Sequence, residues 1–177
     1  MAGGIAWFTG LSGAGKTTLA TAVARRVQLA RPIEVLDGDK LREFVSTGLG
    51  FSRQDRDTNV QRIAYIARLL ANHGVLVFVA AISPYAETRA DLRRRSEEAG
   101  HPFVEFYVNA PLDTVVARDV KGLYKRALAG ELAHFTGVSD PYESPLAPDL
   151  ELHTDRDSQR VCEEQILAVL AARGLAT

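Results

Sequence analysis

The sequence predicts an α/β domain of three layers, with a central, mostly parallel five-stranded sheet flanked by helices. Three observations predict it. Short apolar runs rich in Val, Ile and Phe lack period-2 alternation, as strands covered on both faces do. Helical periodicities fill the spaces between them, so strand and helix alternate along the chain in the order of a layered parallel sheet. A length of 177 residues with 46% hydrophobic residues suits one domain over 1–177 that needs no disulfide or metal staple.

The elements follow in order. Ile5–Thr9 reads as the first strand, and Leu19, Val23 and Val27, four residues apart, as the apolar stripe of the first helix, closed by Pro32. Ile33–Asp37 is the second strand. Ser52, with Asp55 three residues on, is a capping box opening a long helix whose stripe is Ile63, Ile66, Leu69 and Leu70. Val75–Ile82, Phe103–Val108 and Leu150–Thr154 complete the strands. The last helix carries Cys162, Ile166, Val169 and Leu170, with Gly174 as its C′ stop. Only Gly130–Asp149 resists assignment, with Gly130, Gly137, Pro141, Pro145 and Pro148. An irregular stretch of that length in a compact domain points to function, and it reads as a lid over 130–149.

Composition excludes several classes. Lys plus Arg is 21 and Asp plus Glu is 22, a net charge of −1, which is too acidic for a protein built to bind duplex nucleic acid. No apolar run reaches the roughly 18 residues of a membrane span. A single cysteine, Cys162, precludes an internal disulfide, so a reducing, cytoplasmic setting is expected.

The chemistry begins at Gly10. Gly10, Leu11, Ser12, Gly13, Ala14, Gly15, Lys16 and Thr17 fit G-x-x-x-x-G-K-[ST] at every fixed position, followed by Thr18. The motif stands after a strand and opens a helix, where glycines let backbone N–H groups turn toward one anion and the helix N-terminus adds partial positive charge. Lys16 is placed to reach the β- and γ-phosphates of a nucleoside triphosphate, and the Thr17 hydroxyl to ligate Mg2+. A GTPase would carry Asn-Lys-x-Asp, which does not occur. The third strand ends Ala80-Ala81-Ile82-Ser83, without the acidic residue of many ATPases, whereas Asp37-Gly38-Asp39 closes the second strand. Ligands of such sheets bind beyond the carboxyl ends of strands, so this cluster faces an acceptor, the layout of a small-molecule kinase. Arg42, Leu49-Gly50-Phe51-Ser52, and Arg56 with Asn59 on one helix face gather anion-binding and stacking groups nearby. These residues leave open a kinase acting on another small acceptor, such as a nucleoside monophosphate or a sugar acid, or a nucleotide-binding module without catalysis.

Seven further stretches narrow the reading: Asp37–Arg42 (DGDKLR), Leu49–Ser52 (LGFS), Asp55-Arg56 with Asn59, Ile82–Tyr85 (ISPY), Arg118–Arg126 (RDVKGLYKR), Phe135–Gly137 (FTG) and Asp140–Pro145 (DPYESP). With Gly10–Thr18 they run in order through nearly the whole chain, and in this the sequence strongly resembles the adenylylsulfate kinase (APS kinase) family. The resemblance implies a P-loop kinase fold and transfer of phosphate from ATP to the ribose 3′-hydroxyl of adenosine 5′-phosphosulfate (APS), giving ADP and 3′-phosphoadenosine 5′-phosphosulfate (PAPS). It further implies a homodimer and a link to ATP sulfurylase in sulfate assimilation. By resemblance, Asp39 faces the 3′-hydroxyl, and Arg42, Arg56 and Asn59 hold the phosphosulfate. Phe51 and Phe135 sandwich the acceptor adenine, Ile82 and Ser83 touch the same nucleotide, and Lys121 reaches between the two nucleotides. Arg118 and Thr154 lie near the ATP adenine. Lys16, Asp39 and Ser83 are the catalytic candidates, Ser83 through a phosphoserine intermediate that direct in-line transfer does not need. Ala86 departs from the Arg that many members carry after Ile-Ser-Pro-Tyr; the next Arg is Arg89.

Other features read as ordinary structure. His73, His101, His134 and His153 lack metal-ligand spacing. Arg93-Arg94-Arg95 reads as a solvated helix face, Cys162 as a small buried hydrophobe, and Trp7 and Tyr107 as core.

Overall fold

The computed structural model describes residues 3–27 and 31–176. Its elements are β1 (Gly4–Thr9), α1 (Lys16–Val27), β2 (Ile33–Asp37), α2 (Gly38–Phe44), α3 (Arg53–Asn72), β3 (Leu76–Ala80), α4 (Ala86–Glu98), β4 (Phe103–Asn109), α5 (Leu112–Arg118), α6 (Leu123–Leu128), β5 (Leu150–His153) and α7 (Gln159–Ala172). The strands form one five-stranded sheet in the order β2-β3-β1-β4-β5, and every pairing is parallel.

The apolar runs that lacked alternation in sequence do alternate between two cores. Ala6 and Phe8 of β1 join Phe78, Phe106 and the α1 and α7 residues Leu19, Val23, Ile166 and Leu170. Ile5 and Trp7 face the other way, onto Val77, Val79 and the α3 residues Val60, Ile63 and Ala67. Both faces are therefore covered, which is why no position in β1 or β3 is polar and exposed. The ends behave as the sequence predicts. Ser52 caps α3, accepting from Asp55 N at 3.2 Å and donating to Asp55 Oδ2 at 2.7 Å. Gly174 (φ 67°) closes α7, with Gly174 N bonded to Ala171 O and Leu175 N to Leu170 O.

Differences from the sequence reading have local causes. The strand expected over Val75–Ile82 is only Leu76–Ala80, because the chain leaves the sheet at Ala81 to line the cleft described below. Two short helices, α5 and α6, occupy the space between β4 and β5; Asp119 (φ 19°) and Gly122 (φ 66°) break them, and the Asp119 carboxylate accepts from Tyr124 N and Lys125 N at 2.9 and 3.0 Å. Of the three consecutive arginines, Arg94 and Arg95 pair with Asp91 at the surface, but Arg93 turns inward to Asp149 at 2.6 Å and to Phe103 O at 3.1 Å. Tyr107 is half-buried rather than core, its ring stacked on Tyr142 and its hydroxyl 3.1 Å from Ser144 Oγ. Cys162 and Trp7 are fully buried. Among the described residues, no helix is long and apolar enough to cross a membrane.

Residues 130–149 are tied down unevenly. Around Phe135, a tight loop closes as Val138, Ser139 and Asp140 donate to Phe135 O. The second half is riveted down: Glu143 N donates to Pro84 O at 2.8 Å in the turn after β3, Glu143 Oε2 accepts from Ala86 N at 2.7 Å at the head of α4, and Asp149 N donates to Glu105 O of β4 at 3.0 Å.

Candidate active site

Beyond the carboxyl ends of β1, β2 and β3 lies a cleft of about 270 Å³. One wall is the loop between β1 and α1. Gly10 turns there with φ 147°, and a Cβ at that position would stand 2.3 Å from Val108 O, so only glycine fits. Lys16 folds back over the loop, its Nζ donating to Gly10 O at 2.9 Å and Leu11 O at 2.7 Å. Burial lowers its pKa to about 8, against the pull of Asp39. Thr17, at the head of α1, donates from Oγ1 to Asp37 Oδ2 at 2.7 Å. The other Asp37 oxygen caps α2, accepting from Asp39 N at 2.9 Å and Lys40 N at 3.2 Å. Burial pushes the Asp37 carboxyl up, but the Thr17 hydroxyl and the two amides outweigh it and hold it below its ordinary value. Asp37 thus joins the phosphate loop to the helix that carries Asp39.

The opposite wall comes from α2, α3 and the turns after β3 and α5. Asp39 pairs with Lys121, both exposed to the cleft. Arg42 and Arg56 stand over the Phe51 ring, their guanidinium carbons 4.3 and 5.6 Å from its centroid. Asn59 is 8% exposed and its Oδ1 has no hydrogen-bond partner. Ile82, Ser83 and Pro84 form the floor.

Of the residues singled out in sequence, the cleft brings together Ser12, Gly13, Gly15, Lys16, Thr17 and Thr18 from the loop with Asp39, Arg42, Phe51, Arg56, Asn59, Ile82, Ser83 and Lys121. Gly10, Leu11 and Ala14 shape the loop without lining the cleft. Arg118 and Thr154 stand on the loop's far side: Thr154 Oγ1 donates to Ala14 O at 2.7 Å, and Arg118 donates to Thr154 Oγ1 at 3.2 Å. Two placements depart from the sequence reading. Phe135 does not line the cleft. Its ring packs edge-on against Tyr124, centroids 5.0 Å apart, so it forms no aromatic sandwich with Phe51 here. The Ser83 hydroxyl is not presented as a nucleophile: the residue is 1% exposed and Oγ accepts from Trp7 Nε1 at 3.0 Å.

The family model described as adenylylsulphate kinase matches residues 2–153. The chain belongs to that family. It is 62% identical over 174 residues to an adenylyl-sulfate kinase of Myxococcus xanthus, covering 98% of this chain and 94% of that one. Identity to an adenylyl-sulfate kinase of Chloroflexus aurantiacus is 58%, covering 94% of this chain and 88% of the other. Among solved structures, the APS kinase of Mycobacterium tuberculosis in complex with AMPPNP and APS superposes with a TM-score of 0.90 at 44% identity, covering 96% of this chain and 98% of that one.

Within this adenylylsulphate kinase scaffold, four residues hold the site in place. Asp37, read in sequence only as part of the acidic cluster, is one; Arg89, Glu105 and Tyr142, given no site role there, form a set under the floor, the first two buried and Tyr142 partly so. Arg89, 3% exposed, donates to Glu105 Oε1 at 2.9 Å, Ser83 O at 2.7 Å and Glu143 O at 2.6 Å. Tyr142 hydrogen-bonds Thr9 Oγ1 at 2.9 Å, and burial raises its phenol well above the ordinary value. Burial also raises the Glu105 carboxyl, against Arg89 and Arg93. The buried Arg–Glu pair was the signal hardest to see, since neither residue stands in a motif that names a ligand.

Proposed function

We propose that the chain transfers the γ-phosphoryl group of ATP to the ribose 3′-hydroxyl of APS, giving ADP and PAPS. One observation carries the reading. A single cleft has a phosphate-binding loop on one wall, and on the other a carboxylate, Asp39, flanked by two arginines, an asparagine and an exposed aromatic ring. Phosphoryl transfer has a loose transition state, so the protein's work is alignment and charge neutralisation. Lys16 and the N–H groups at the head of α1 hold the donor phosphates. Its depressed pKa reflects the cost of burial, which an anionic ligand offsets. Asp39 orients the acceptor hydroxyl and receives its proton late in transfer; Lys121 keeps that carboxylate in place between the nucleotides. Arg42, Arg56 and Asn59 take the phosphosulfate, and Ile82 and Ser83 the nucleoside. Arg118 and Thr154, behind the loop, adjoin the ATP base.

The Thr17 hydroxyl and Asp37 carboxylate are hard oxygen donors side by side at the mouth of the loop, and the pair fits Mg2+. When bound, that ion neutralises charge on the β- and γ-phosphates. The lid role belongs to the Phe135 loop, residues 130–140, since Glu143 and Asp149 anchor the rest of the segment to the turn after β3, the head of α4 and β4. Movement of that loop brings Phe135 toward Phe51 when APS is bound. A homodimer, a cytoplasmic setting and a link to ATP sulfurylase complete the proposal on the family resemblance.

The test is ADP release with APS, AMP and gluconate offered in turn. Rapid turnover of APS with little of the others is expected. Turnover of AMP with APS inert would overturn the reading.

A further inference from the structure

The arginine corner of the cleft contains an arrangement that stacking on adenine does not require. Arg42 and Arg56 both approach the ring of Phe51, at 4.3 and 5.6 Å from its centroid. The backbone of the same short turn holds both of them, and Arg56 also donates to His134 O of the Phe135 loop. Arg42 donates to Gly50 O, and Arg56 Nε donates to Phe51 O at 3.0 Å. Burial holds both guanidinia below their ordinary pKa, and Arg56 lowers Arg42 further. Two cations are therefore gathered in a partly desolvated corner, with Asp55 and Asp39 acting on Arg42 and Asp140 on Arg56, and Asp39 itself paired with Lys121. The carboxylate within reach of Arg56 is Asp140, at 3.8 Å. Asp55, near Arg42, is engaged by the Ser52 hydroxyl at 2.7 Å. An aromatic face attracts a cation without carrying net charge. It offsets the repulsion between two guanidinia and leaves both positive toward a ligand, whereas a carboxylate in that place would compete with an anion.

We propose that Phe51 is a positioning residue for Arg42 and Arg56: its ring face, together with the Gly50 and Phe51 carbonyls, holds the two guanidinia as a ready-made receptor for the phosphosulfate end of the acceptor. The inference rests on the APS reading above and deepens it. Phe51 then selects for the anion as well as for the base, and links the two halves of acceptor recognition through one side chain.

The ring is 54% exposed, so its replacement leaves the core intact. Phe51→Leu keeps an apolar side chain and removes the aromatic face; Phe51→Trp keeps the face. At saturating ATP, the KM for APS and the competitive inhibition constant of adenosine, which has the base and ribose but no anion, are measured in the same enzyme. Phe51→Leu is expected to weaken APS roughly tenfold more than adenosine, and Phe51→Trp to recover most of that difference. Combining Phe51→Leu with Arg42→Ala should cost less than the product of the two single effects, because each removes the same arrangement. Equal weakening of APS and adenosine, or independent effects in the double variant, would overturn the proposal. Both are read against an active wild type, so inert APS in the wild type speaks only against the function itself.

Discussion

Ser83 bears two constraints at once. Its φ of 48° lies in the left-handed region that side chains rarely adopt, and its hydroxyl accepts the indole N–H of Trp7 at 3.0 Å inside the core. The residue therefore shapes the floor of the cleft with its backbone while its side chain satisfies a buried donor. Ser83→Ala removes that acceptor and leaves Trp7 Nε1 with no partner, a cost of about 1–3 kcal/mol. Chemical denaturation should register the loss, while kcat stays within a few-fold of wild type. A hundredfold fall in kcat with unchanged stability would instead return Ser83 to the chemistry as a phosphate carrier. Asp37 shows the opposite economy: one carboxylate serves the loop through Thr17 and the acceptor side through the cap of α2, so donor and acceptor walls share an atom group rather than merely facing each other.

At the scale of elements, the turn after β3 is clamped rather than free. Arg89 of α4 reaches the Ser83 and Glu143 carbonyls and Glu105 of β4, joining helix, sheet, floor and strap through one guanidinium. Glu143 in turn caps α4, whose own first residues offer no side-chain cap. Arg89→Met should strand the buried Glu105 carboxylate and two carbonyls, destabilising the fold by about 3–5 kcal/mol, with Arg93 at 3.9 Å relieving part of it. Paired with Glu105→Leu, the same change should recover stability, since the uncompensated charge is gone; urea unfolding of the single and double variants decides this. No recovery would mean that the carbonyl contacts, not the ion pair, carry the clamp. Elements whose role is burial, such as β1 and α7, were legible in sequence because apolar spacing encodes burial directly. The α3 helix was legible but its buried face only in part: Leu69, expected on the stripe, is 44% exposed, while Val60, Ile63, Ala64, Ala67 and Ala71 face the sheet, because close packing on β1 and β3 favours small side chains over leucine. The phosphate loop was legible because glycine, lysine and threonine at fixed spacing serve one chemistry. Arg89, Glu105 and Glu143 were not, because a polar residue's partner lies far along the chain and leaves no period. Phe135 was visible as a residue of interest, but its packing on Tyr124 depends on a loop closed by its own backbone.

Across the whole molecule, the charged groups set how the fold meets acid. Three carboxyls titrate below their ordinary value of 3.8, against opposing burial in each. Asp37 is held down by the Thr17 hydroxyl and two amides, Asp91 by Arg94 and Arg95, and Asp119 by the amides of Lys125 and Tyr124. A carboxyl depressed in the folded state contributes stability that is complete above the unfolded pKa and is lost as pH falls through the folded one. Glu105 works the other way: burial raises its carboxyl, so the fold takes up that proton more readily than the unfolded chain, which favours folding on acidification. His101 adds to the acid loss: burial, with Arg68 beside it, lowers its pKa, so the unfolded chain takes up that proton first as pH falls through about 6.5. The melting temperature should therefore begin to fall below about pH 6.5 and fall further below about pH 5, where the carboxyls titrate. Asp37→Asn should flatten the acid limb, because one linked proton is removed, while lowering the neutral plateau through the weakened cap of α2. A melting temperature that stays level to pH 3 would place the balance with Glu105, making the buried Arg–Glu set under the floor, rather than the surface and cap carboxylates, the element that governs acid behaviour.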